Sequence, residues 1–175
     1  MEEVETLADR PSVRVRVLRA GREFDLTVHP RRRCDWNIEV TPSRTISARA
    51  DGYSISITSR LVDLAEQDDA LAFVLAHEMA HNLQRERPDF AARPIRERER
   101  EADRIGMILA ARAGYDTSGA GDFVRSLGRI SWFGRFGWGA HDAPAVRAAA
   151  LDRLHDEIVA TGASALPLGL EQAPD

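Results

Sequence analysis

Lysine is missing from this chain: all 24 basic residues among its 175 are arginine. The pattern reads as a compositional bias rather than a functional demand for guanidinium groups. Cysteine is nearly absent. A single one, Cys34, excludes any internal disulfide and any cysteine-rich zinc finger. With no base placed beside it by sequence, Cys34 reads as a small buried residue, not a nucleophile. No apolar run approaches the ~18–20 residues that cross a bilayer, so no transmembrane segment is expected. Excess positive charge is lacking as well. The net charge of −4 argues against a nucleic-acid partner. The opening Met-Glu-Glu-Val-Glu has neither the basic nor the apolar part of a signal peptide. The compartment stays open: periplasm or cell envelope for part of a longer exported protein, cytoplasm otherwise.

What is present is an ordinary globular composition, with enough chain for about one domain and a core that needs no disulfides. Val13 to Leu18 and Glu23 to Val28 each alternate apolar and polar residues around a turn at Gly21, which predicts a β-hairpin over 13–28. Short strands are expected at Trp36–Val40, Ile46–Ala48 and Tyr53–Thr58. The last of these, ahead of a helical region, could pair with an extended peptide by β-addition. From Ser59 the period changes to helical. Helices are expected over 69–85, 95–113, 120–129 and 143–160. Asp68 and Asp69 suit the first helix start, Gly114 a helix end, and Pro144 a first turn. The Gly- and Pro-containing stretch from Thr161 reads as loose. The segment 131–140 carries three glycines and four aromatics and reads as an irregular loop. It serves either to pack the last helices or as a rim over a site. His155 reads as a packing or surface residue, and His29 with Arg31, Arg32 and Arg33 as a solvated loop.

The informative segment is His77-Glu78-Met79-Ala80-His81, the H-E-x-x-H pattern, on a predicted helix. Residues at i and i+4 share a face, so both imidazoles can reach one metal ion. Glu78 is turned about 100° per residue away and can stand beside the metal without occupying the same position. A carboxylate there can take a proton from a metal-bound water. Hydrolysis by zinc needs three protein ligands and one open position, so a third ligand must come from elsewhere. The next helix offers Glu97, Glu99, Glu101 and Asp103. Glu99 and Asp103 are one turn apart on one face, while Glu101 points elsewhere. One carboxylate of such a pair can bind the metal; the other can accept the free N–H of a ligating histidine and orient its ring.

His77-Glu78-Met79-Ala80-His81-Asn82 followed by Glu99-Arg100-Glu101-Ala102-Asp103-Arg104-Ile105-Gly106 resembles metallopeptidase family forty-eight, the gluzincin-like zinc peptidases of the HtpX, BepA and CaaX prenyl protease type. The resemblance covers roughly residues 35–155. It implies Glu99 as the third zinc ligand beside His77 and His81. It also implies a histidine and an arginine six residues apart at the start of the last helix, matched by His141 and Arg147. The proline that usually follows that histidine is replaced here by Asp142.

The reading is an α+β, zincin-like domain: a small N-terminal sheet, a zinc helix, a ligand helix and C-terminal packing helices. Residues 1–30 form a hairpin segment similar to the end of a PDZ-like domain, 31–165 the catalytic domain, and 166–175 a loose tail. The expected activity is zinc-dependent endopeptidase action on peptides or unfolded proteins, with one Zn2+ per chain. His77, His81 and Glu99 hold the metal, Glu78 is the general base, Asp103 orients a ligating histidine, and His141 or Arg147 stabilises the oxyanion. The rival reading is a non-proteolytic zinc-binding assembly or chaperone-like factor on the same scaffold. A PDZ-type peptide binder would leave the histidines unexplained.

Overall fold

The computed structural model describes residues 12–19, 21–29, 36–130 and 142–170. The chain divides into two compact units, Met1–Asp35 and Trp36–Asp175. Cys34 and the 131–140 segment lie outside the described residues.

In the first unit, β1 (Val13–Arg19) and β2 (Arg22–Val28) pair antiparallel, with Val13 opposite Val28 and Val17 opposite Phe24. Gly21 takes a φ of 74° in the turn, a conformation that costs glycine little. The alternation in the sequence therefore forms the hairpin it predicts.

The second unit opens with a three-stranded sheet of β3 (Asn37–Thr41), β4 (Ala48–Ala50) and β5 (Ser54–Thr58), in the order β3-β5-β4. β5 runs parallel to β3 and antiparallel to β4. Two expectations change here. The short middle strand falls at Ala48–Ala50 rather than Ile46–Ala48. Hydroxyl hydrogen bonds hold the chain just before it as a loop, the Ser43 Oγ meeting both the Thr45 amide and the Thr45 hydroxyl. β5 is central, so the residues 53–58 have no open edge for a peptide; the outer edge on the side of the helices belongs to β4.

Among the described residues five α-helices follow: α1 (Ser59–Leu64), α2 (Asp68–Arg85), α3 (Ile95–Arg112), α4 (Ala120–Ile130) and α5 (Pro144–Thr161). Asp68 and Asp69 sit in the first turn of α2, where negative charge suits the dipole, but neither side chain caps it. Asp69 instead accepts a hydrogen bond of 2.9 Å from the Asp116 amide beyond α3. α3 ends as expected at Gly114, whose φ of 91° lets the Tyr115 amide return to the Ala110 carbonyl. Pro144 occupies the first turn of α5.

The main core joins Leu61, Phe73, Val74, Met107, Ile108 and Phe123 with Leu151 and Ile158. Where α2 crosses α3 the residues are small. Ala80 and Ala102 are fully buried, and Gly106 lies against the backbone of His77. Small residues let two backbones approach closely, which brings opposing side chains one turn away within reach of each other. The segment after α5, expected to be loose, is pinned to α3. Leu166 is buried, Arg112 donates to the carbonyls of Ala163 and Leu166, and Arg104 donates to that of Pro167. Residues 171–175 lie outside the described part.

Candidate metal centre

His77 and His81 lie one turn apart on α2; Glu99 and Asp103 lie one turn apart on α3. Contacts at His77–Gly106 and Gln84–Arg98 show that the two helices run antiparallel. Each therefore offers one facing pair. The two imidazole Nε2 atoms are 3.1 Å apart. Glu99 Oε2 stands 3.4 Å from His77 Nε2 and 3.2 Å from His81 Nε2. These three form the one group of histidine and acidic ligand atoms among the described residues that could share an ion.

The outer nitrogens of the two rings are held differently. His77 Nδ1 faces Asp103 Oδ1 at 3.0 Å. A carboxylate only accepts, so it favours a ring proton on Nδ1 and leaves Nε2 to face Glu99 and His81. Asp103 is itself gripped by Arg147, whose Nε and Nη2 donate to its two oxygens at 2.6 Å each. His81 Nδ1 lies 3.2 Å from Gln84 Oε1. The amide nitrogen of Gln84 donates to the Arg98 carbonyl at 2.7 Å and to Glu101 at 3.0 Å, which fixes its oxygen toward the ring. His81 thus also carries its proton on Nδ1. Glu101 is anchored in turn by Arg87 and Arg93.

Two imidazole nitrogens and a carboxylate oxygen therefore converge within 3.4 Å. Atoms of this kind lie so close only with a cation among them, a proton in the metal-free protein or a metal ion in its place. Zinc bonds of ~2.0–2.1 Å in tetrahedral array separate neighbouring ligand atoms by about 3.3 Å. The donor set and its spacing fit zinc. The electrostatics agree. Burial acts to lower the pKa of His77, but Asp103 and Glu99 outweigh it and push it up to about 9. Burial acts to raise the pKa of Asp103, yet His77 and Arg147 hold its carboxyl well below the usual range. The site is built to keep positive charge.

Glu78 is buried, and its carboxylate makes no hydrogen bond or ion pair with a described residue. It lines a cleft of about 320 Å³ together with His77, His81 and Glu99. Ala48, Arg49 and Ala50 of β4 form another wall, and Arg85, Phe90 and Arg98 complete it. The Asn82 side chain, buried one residue past His81, accepts a hydrogen bond of 2.7 Å from the Gly52 amide and so ties α2 to the turn between β4 and β5.

Sequence reasoning places His77, His81, Glu99 and Asp103 where the structure brings them together. It places Glu101 on another face, and Glu101 does not reach the ligand cluster directly. It misses Gln84, because a glutamine three residues past a histidine reads as surface, whereas this one is buried under α3. Arg147 is found on Asp103. His141 lies outside the described residues, although its neighbour Asp142 pairs with Arg100, next to Glu99. His155 meets the Thr117 hydroxyl at 2.9 Å, as a packing residue outside the cluster.

The model of peptidase family M48 matches residues 22–93 of the chain. The matched stretch contains His77, Glu78 and His81 and ends before Glu99. It supports the metallopeptidase family, whose members are zinc-dependent. No curated protein and no solved structure matches the chain.

Proposed function

We propose that this chain is a zinc-dependent metalloendopeptidase of the zincin type, allied to the HtpX, BepA and CaaX prenyl protease group. The observation that carries the reading is the convergence of two imidazole nitrogens and a Glu99 oxygen within 3.4 Å, in a cleft that Glu78 also lines. His77, His81 and Glu99 hold the metal. Zinc, when bound, supplies Lewis acidity that acidifies water and polarises a scissile carbonyl. Glu78 takes the proton of the attacking water and passes it to the leaving amine. Asp103 keeps the His77 ring in its metal-binding tautomer, and Gln84 does the same for His81. Arg147 holds Asp103 in place. His141 remains the candidate for stabilising the oxyanion. In this reading residues 31–165 are the catalytic domain, and the hairpin within 1–30 is the end of a PDZ-like domain.

The test is hydrolysis of unfolded casein by zinc-loaded protein and by its Glu78→Gln variant. The variant keeps shape and hydrogen bonding but loses the base. Zinc content should match the parent's, while hydrolysis falls by ~10²–10⁴-fold. Loss of zinc in the variant would make Glu78 a ligand and displace Glu99. A parent that binds zinc tightly yet cleaves nothing would leave the non-proteolytic zinc module.

A further inference from the structure

Three guanidinium groups border the same cleft as the ligand cluster, each from a different element: Arg49 on β4, Arg85 on α2 and Arg98 on α3. None of them has a carboxylate partner among the described residues. Outside the cleft, Arg87, Arg93, Arg100, Arg125 and Arg147 each meet an acidic side chain. Glu78 and Glu99 are the acidic groups of the cleft, and a divalent cation at the cluster balances both. Three positive charges are then left over in a chain whose net charge is −4.

Two of the three are held in place. The Arg98 guanidinium lies over the Phe90 ring at 4.4 Å from its centroid, and that of Arg85 lies at 5.4 Å from the same ring. Arg85 also donates to the Ala50 carbonyl on β4 at 3.4 Å. Like charges gathered at one ring repel, and the aromatic face offsets this only in part. Arg98 Nε is shielded from water and has no hydrogen-bond partner among the described residues. A donor buried without an acceptor is costly, and an arriving acceptor removes that cost. A planar guanidinium without an acidic partner matches one chemical group best, a carboxylate gripped through two parallel hydrogen bonds.

We infer that the cleft selects peptides bearing a carboxylate close to the bond to be cut, with Arg98 and Arg85 as the groups that bind it. The inference rests on the peptidase reading and adds the substrate class to it. The carboxylate is that of an aspartate or glutamate side chain or of a free chain end; both present the same group.

The experiment uses zinc-loaded Glu78→Gln protein and fluorescent decapeptides read by anisotropy. One set is amidated and carries glutamate or alanine at the central positions; another is neutral with a free terminal carboxylate. A carboxylate peptide should bind at least about tenfold tighter than the amidated alanine peptide, the scale of one charge-assisted hydrogen bond. The ratio should shrink as salt is raised. Arg98→Gln, or the exposed Arg85→Gln should the first not fold, should bring it toward one with zinc content unchanged. Which carboxylate peptide gains affinity identifies the source. Equal binding of all peptides overturns the inference, and if the parent still cleaves them the peptidase reading survives. Preferential binding with no cleavage by the parent sinks the peptidase reading and the inference with it, leaving a carboxylate site that cuts no bond.

Discussion

Gly106 stands so close to His77 that no methyl group fits between them: a Cβ on Gly106 would come within 2.9 Å of the His77 nitrogen and 3.0 Å of its α-carbon. The obstruction is backbone, which cannot rotate away as a side chain can. Gly106→Ala should push α3 off α2 at the level of the first ligand, widening the separation of His77 and Glu99. Overpacking of this kind costs about 1–3 kcal/mol. We expect a lower urea midpoint and weaker zinc binding in a chelator competition. Gly119→Ala is the control, since nothing lies within 4 Å of its added methyl. If Gly106→Ala binds zinc like the parent, the close approach does not set the ligand geometry.

Arg147 and Asp103 form a nearly buried ion pair that ends on the His77 ring. Removing one member strands the other. Arg147→Gln should destabilise the fold by about 3–5 kcal/mol. Asp103→Asn should weaken zinc binding by about 10–100-fold. Because both act through one carboxylate, the double variant should lose less than the two single losses added together. Denaturant unfolding and zinc titration of all three variants provide the check; full additivity would mean that Arg147 does not act through Asp103.

Gln84 gives a parallel expectation for His81. Gln84→Leu keeps the volume and deletes the acceptor of the Nδ1 proton, so the ring can turn or change tautomer. Zinc affinity should fall by about tenfold, the low end for an outer partner. Glu99→Gln removes a ligand and should cost far more than Glu101→Gln, which reaches the metal only through Gln84. Equal losses at Glu99 and Glu101 in chelator competition would show that the wrong carboxylate is placed on the metal.

In the metal-free protein His77 is pushed up from 6.5 to about 9. A raised pKa favours the protonated folded state. Its stabilisation is complete below pH 6.5 and is lost as pH rises through about 9. The lowered carboxyl of Asp103 acts on the other side. Its contribution is present above pH 3.8 and fades as pH falls below that. Chelator-treated protein should therefore have its highest melting temperature between about pH 4 and 6.5. At pH 7, zinc binding must expel the His77 proton, and calorimetry in buffers of different ionisation enthalpy should register the release of about one proton or more. Zinc uptake with no proton release would mean that His77 is neutral beforehand.

How much of this was legible depends on distance along the chain. His77 and His81 are a local pair, and helical periodicity alone puts them side by side. Glu99 and Asp103 were readable as a facing pair for the same reason, though nothing local says that α3 lies across α2. The link from Asp103 to Arg147 spans 44 residues and was not legible as an ion pair. Gln84 was hidden because helical position does not reveal burial. The stretch after Thr161 misled through its composition. Glycine and proline mark a chain without regular structure, but long-range arginine-to-carbonyl bonds hold it all the same.

The crossing of α2 and α3 also sets the order in which the site can assemble. Two of the three proposed ligand atoms belong to one helix and are in register as soon as that helix forms, on the microsecond scale of helix formation. The third comes from another helix and arrives only when small residues close the crossing at Ala80, Ala102 and Gly106. A cation held by the histidines alone is held weakly; completing its ligand set is the same event as docking the helix pair. Under the proposed function, metal occupancy is thus a readout of tertiary closure. Strain applied far from the ligands, at the segment that Arg104 and Arg112 clasp to α3, should surface first as faster metal loss and only later as unfolding.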